Sequence, residues 1–170
     1  MRAYFFGNMY LSSIQQGIQG EHAMTAMFVK YRHQKDHLDT LYEWAENHKT
    51  SIYLNGGYAD NLLRVHNEID DIERHLAEHL VADPDYLKSI GLSSDFSLDE
   101  SIFRLSHSLF HEEQASLNGA LTSVAVILPE CFYFRNEATM KDIDSKLAEG
   151  CSLFPHERML KLLSEFRLAS

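Results

Sequence analysis

Residues Leu121 to Leu128 read Leu-Thr-Ser-Val-Ala-Val-Ile-Leu, closed by Asn118-Gly119 on one side and Pro129 on the other. A short, continuous apolar run between turn residues predicts a strand covered on both faces, and strands of that kind lie in sheets flanked by helices. Upstream, Tyr4 to Leu11 is rich in aromatic and apolar residues and stops at Ser12-Ser13, where a hydroxyl can take an unpaired backbone N–H and start a helix. Thr50 to Leu54 is β-prone and ends at Asn55-Gly56-Gly57, and Ser106 to Phe110 reads as a further short strand. Between these runs lie helical patterns. Ser13 to Tyr31 offers Ile14, Ile18, Met24, Met27 and Phe28 as a buried stripe, with Gln15, Gln19 and His22 together on a polar face. Asp36 to His48, Ala59 toward Leu80, Glu137 to Glu149 and Pro155 to Leu168 follow. Strands alternating with helices predict an α/β domain of three layers, with a small mixed sheet and helices on both faces.

The chain has 170 residues, a length expected for a single domain over 1–170, and its core is sufficient without disulfides. With only Cys131 and Cys151, a disulfide scaffold is excluded and a reducing cytoplasm is the expected compartment. No run of 18 apolar residues exists, so no membrane association is expected. Twenty-five carboxylates against 15 lysines and arginines give a net charge of -10, which opposes broad binding to a phosphate surface. The charge is concentrated. Between Asp60 and Glu100 stand eleven carboxylates and three basic residues, so -8 of the total falls there. A solvated helix face is one reading; a surface over 60–100 that docks a basic protein partner is the other.

Gln19-Gly20-Glu21-His22-Ala23 near the start of the first helix, and Asn118-Gly119-Ala120-Leu121-Thr122 leading into the last strand, resemble the archaeal and eukaryotic, or second, type of peptidyl-tRNA hydrolase. That family carries Gln-x-x-His-Ala in its first helix and Pro-Gly-x-x-Thr before its last strand. The similarity spans about 1–31, 50–69 and 110–129, leaving an acidic insertion near 70–105 and a helical C-terminal extension, 137–170. It implies a pocket whose catalytic candidates are His111, Glu112, Glu113 and Thr122, with Gln15, Gln19 and His22 binding an RNA or nucleotide ligand. The family's catalytic lysine falls on Gln15, which has no charge to offer a phosphate. Ester hydrolysis would need a carboxylate to position water, here Glu112 or Glu113, and a neutral donor for the oxyanion from Gln15, Gln19 or Thr122.

Two further patterns carry chemistry. His75-Leu76-Ala77-Glu78-His79 fits His-x-x-Glu-His, the inverted zinc-protease motif, but the sequence nominates no third ligand, and no metal is expected. His107, His111, Glu112 and Glu113 form the densest titratable group outside the acidic segment. Cys131, in an aromatic run, reads as a buried structural thiol. Asn55-Gly56-Gly57 lacks the lysine and spaced glycines of a phosphate loop, so no cofactor is expected. The sequence therefore predicts a peptidyl-tRNA-hydrolase-like protein. Its alternative is a non-catalytic acidic binding or inhibitor protein, of the kind phages make, that docks a nucleotide or a basic partner. An exposed sheet edge would let two copies form a homodimer.

Overall fold

The computed structural model describes residues 1–83, 85–91, 104–134 and 136–169. It forms a four-stranded mixed sheet with strands β1 (Arg2–Gly7), β2 (Ser51–Asn55), β3 (His107–His111) and β4 (Leu121–Leu128) in the order β2-β1-β4-β3. β1 runs parallel to β2 and antiparallel to β4, and β3 is antiparallel to β4. The Leu121–Leu128 run is an inner strand, every residue of which is buried.

Helices cover both faces. On one, α1 (Ser13–Lys30) and α2 (Lys35–Glu43), which continues as a π-helical turn over Trp44–His48, enclose Phe5, Ala23, Met27, Leu41, Ala125 and Ile127. On the other, α3 (Ala59–Ala82) and α7 (Pro155–Ser164) bury Phe6, Ile69, Ile72, Leu76, Val124 and Met159. α4 (Tyr86–Ser89), α5 (Gln114–Leu117), a 3₁₀ turn over Glu130–Phe132 and α6 (Glu137–Ala148) complete the chain. Within the acidic segment, residues up to Ala82 thus belong to a core helix, while 92–103 lie outside the described residues. Among the described residues no helix is long and apolar enough to cross a membrane.

The stripe expected on α1 is corrected by the structure. Ile14 and Ile18 are 78% and 49% exposed, and the buried positions are Gln16, Gln19, Gly20, Ala23 and Met27. The helix starts so close to the sheet that only small side chains, or polar ones with partners, fit beneath it. A Cβ on Gly20 would stand 2.7 Å from the Tyr53 ring and 3.1 Å from that of Phe5. Gln16 lies over Gly7 and donates its amide to the Leu11 carbonyl at 3.1 Å.

Both outer strands have main-chain groups already taken. Along β3, the Lys30 ammonium donates to the His107 carbonyl at 3.1 Å, and the His107 N–H donates to the Tyr31 hydroxyl at 3.5 Å. Along β2, Asn55 N–H donates to Arg167 C=O and Ala169 N–H to Tyr53 C=O, each at 2.9 Å.

Candidate functional site

The two segments that carry the family resemblance meet in space. Thr122, 1% exposed, donates its hydroxyl to Gln19 Oε1 at 2.9 Å, and the same oxygen lies 3.3 Å from the Phe110 carbonyl. A bulge makes this contact. Phe110 pairs with Ser123 and His111 with Leu121, so Thr122 is an extra residue on β4. Strict alternation would send its side chain toward α3 with Val124 and Val126; the bulge turns it toward α1 instead. His22 stands beside this contact, exposed, with its ring 4.8 Å from that of Phe110. It lines a surface cleft of about 440 Å³ with Ile14, Ile18, Glu21 and Tyr53, which includes neither Gln19 nor Thr122.

Gln15 lies apart from that group. Its Oε1 accepts from the Ser12 N–H at 3.0 Å, and its own N–H donates to Ser12 Oγ at 3.4 Å, so the side chain closes a reciprocal cap on α1. The position that holds lysine in the resembled family therefore serves the helix terminus here. In the loop after β3, His111 Nδ1 is 2.8 Å from the Gly119 carbonyl, and Glu113 is the exposed residue before α5. Glu112 differs from both. Its N–H donates to the Ala120 carbonyl at 2.9 Å, and its Oε2 is buried with no hydrogen-bond donor among the described residues. Asn118 and Gly119 both have positive φ, 52° and 68°, as the tight return into β4 requires.

A second polar assembly went unseen in the sequence. His107 does not share a site with His111 and Glu112; it is 1% exposed and turns toward α3. Its Nε2 lies 3.0 Å from Glu73 Oε2 and 3.7 Å from Asp70 Oδ1, while His37 Nε2 lies 3.5 Å from Glu73 Oε1. His37 stacks on Tyr31 with centroids 3.8 Å apart, and its Nδ1 is 3.2 Å from Ser106 Oγ. Side chains of α2 and β3 thus converge on Glu73 of α3. Burial lowers the His37 imidazole to about 4 and also lowers His66, whose ring is 5.1 Å from that of His107. Burial pushes the Glu73 carboxyl up, but the hydrogen bond and charge of His107, with His37 and Lys30, outweigh this and hold it below its ordinary value.

Asp70, Glu73 and His107 bring three potential ligand atoms within 4.8 Å of one another. The surroundings suit a hydrogen bond between His107 and Glu73 better than a cation. A metal on His107 Nε2 would leave the proton on Nδ1, which is buried with no acceptor among the described residues, and metal-bound histidines normally donate that proton. Lys30, at the end of α1, adds a positive charge at the His107 carbonyl. The histidines of the His-x-x-Glu-His motif are also engaged elsewhere: Arg158 donates to His75 Nδ1 at 2.6 Å, and His79 packs edge-on against Tyr86 at 5.0 Å. Cys131 is half-buried, and burial pushes its thiol up to about 12, as befits a structural residue.

Fold and site together define a small α/β protein in which a bulged inner strand hydrogen-bonds to a helix that starts over the sheet. The sequence matches no protein-family model and no curated protein.

Proposed function

We propose that the protein is a peptidyl-tRNA-hydrolase-like protein that binds an RNA or nucleotide ligand where α1 meets β4, with His22 at the ligand and the buried Gln19–Thr122 contact behind it. The observation that carries this reading is the Thr122–Gln19 hydrogen bond, which joins the two sequence segments that resemble the family. Binding is favoured over turnover. Gln15 is neutral and held in the helix cap, so a phosphate would meet no fixed cation at the position of the family's lysine. The acidic charge is a weaker objection than its total suggests, because most of it belongs to 60–100 rather than to this end of α1. If the protein is an enzyme, Glu112 is its base once water reaches the buried Oε2, which has no hydrogen-bond donor among the described residues.

Titration with tRNA and with mononucleotides should show saturable binding that weakens at least tenfold in His22→Ala, an exposed position whose loss leaves the core intact. Absence of binding and of peptidyl-tRNA turnover at high protein concentration would overturn the reading. The alternative, a surface over 60–100 for a basic partner, has less support. Glu68 and Asp71 already meet Arg158 at 2.7 Å each, and Glu73 faces His107.

A further inference from the structure

At the opposite end of the sheet from the Thr122–Gln19 contact, a cleft of about 880 Å³ opens beside the first residues of β1. Its floor is Tyr4 and Leu54, 7% and 6% exposed; Tyr133 and Phe166 form walls, and Arg2 and Arg167 stand among the lining residues. The aromatic walls are fixed by packing. Tyr133 lies 5.9 Å from Tyr4, and Phe166 meets Phe6 edge-on at 5.0 Å, centroid to centroid.

The two arginines stand outside the ion pairs that hold several of the chain's bases. Elsewhere Arg64 meets Glu165, Arg158 meets Glu68 and Asp71, and Lys161 meets Asp144. Arg2 and Arg167 have no carboxylate partner among the described residues, and exposed Glu130 nearby pairs with neither. The Arg2 guanidinium instead lies 4.5 Å over the Tyr133 ring, which leaves its edge N–H groups free to donate. Two uncommitted guanidinium groups at an apolar hollow form a binding site with a defined polarity. The hollow takes a hydrophobic body, and the arginines take an anion.

We infer that this cleft binds a small amphiphile with one anionic head, a carboxylate or phosphate monoester, on an alkyl chain. A peptide fits less well, because Arg167 and Ala169 already hold the Asn55 N–H and the Tyr53 C=O of β2 at this edge and shorten any ladder for an added strand. A nucleobase fits less well too. Apart from the arginines, the polar side-chain groups of the lining are tyrosine hydroxyls, too few to read a base edge. Apolar contact and charge remain, and an alkyl chain with an anionic head offers both.

Fluorescence titration of the purified protein with a dansyl-labelled undecanoate should give one saturable site. Dodecanoate should displace the probe, whereas dodecyltrimethylammonium, with the same chain and the opposite charge, should not. Dodecyl phosphate competing as well as dodecanoate would assign recognition to the anion in general, and weaker competition would assign it to the carboxylate. Arg2→Gln with Arg167→Gln, both at exposed positions, should weaken binding at least tenfold with an unchanged unfolding midpoint. Each single variant, measured alongside, should lose part of that affinity. No saturable binding, equal displacement by the cation, or full affinity in the double variant would overturn the inference.

Discussion

Gln19 and Thr122, 103 residues apart in sequence, share a buried 2.9 Å hydrogen bond that ties the first helix to the last strand. Because Gln19 accepts through Oε1, its amide N–H groups remain for another partner, and none is present among the described residues. Thr122→Val preserves shape and deletes the donor, leaving Gln19 Oε1 without it. The expected cost is about 1–3 kcal/mol. Urea unfolding with an unchanged m-value and a lower midpoint would show it, and an unaltered midpoint would mean that the hydroxyl contributes nothing.

Glycines in α1 should respond in opposite directions. Gly20→Ala forces a Cβ to 2.7 Å from Tyr53 and should destabilise by roughly 1–3 kcal/mol. At Gly17 a Cβ meets nothing within 4 Å, so Gly17→Ala should stabilise by up to about 1 kcal/mol through helix propensity. Thermal unfolding of the two variants in parallel tests this, and equal shifts would refute the close approach of α1 to the sheet.

His37 should make stability depend on mild acid. Its folded value is about 4 against an ordinary 6.5, so the unfolded chain takes up a proton first. Stability from this group is complete above pH 6.5 and is lost as pH falls toward 4, about 2 kcal/mol by pH 5. His66 and His156, also lowered by burial, act in the same direction. His37→Gln should therefore flatten the fall in denaturation midpoint between pH 7 and 5. An unchanged slope would place the titration elsewhere.

Glu73 is the hub of the histidine assembly and is only 19% exposed, whereas Glu68, on the same helix, is 37% exposed where it meets Arg158. Removing the hub carboxylate strands buried partners, so Glu73→Gln should cost about 3 kcal/mol and Glu68→Gln about 1 kcal/mol or less. Chemical denaturation at pH 7 ranks them; a larger loss at Glu68 would contradict the burial argument.

The strands and main helices are legible in the sequence because period and turn residues decide them locally. The eight-residue run of β4, the Ser12 cap of α1 and the apolar spacing of α3 are of this kind. Which face of α1 turns inward is not local. Ile14 and Ile18 are more apolar than Gln16 and Gln19, but the helix origin is set by β1 and the loop behind it, and that geometry favours polar side chains with nearby partners. The candidate site was half legible. Gln19 and Thr122 could be named from a resemblance, yet the contact depends on a bulge that no residue pattern announces. The histidine assembly had no signature, since Glu73 and His37 lie 34 and 70 positions from His107 and no motif spacing links them.

The C-terminal residues that lie along β2 also limit how the molecule can meet copies of itself. As long as Arg167 and Ala169 hold Asn55 N–H and Tyr53 C=O, the C-terminal half of β2 offers another chain no template for growing the sheet. Across the molecule, Lys30 and Tyr31 occupy both main-chain groups of His107 in the same way. Trimming the chain after Phe166 would uncover the Tyr53 carbonyl and Asn55 N–H of an outer strand and leave them open to pairing with another chain.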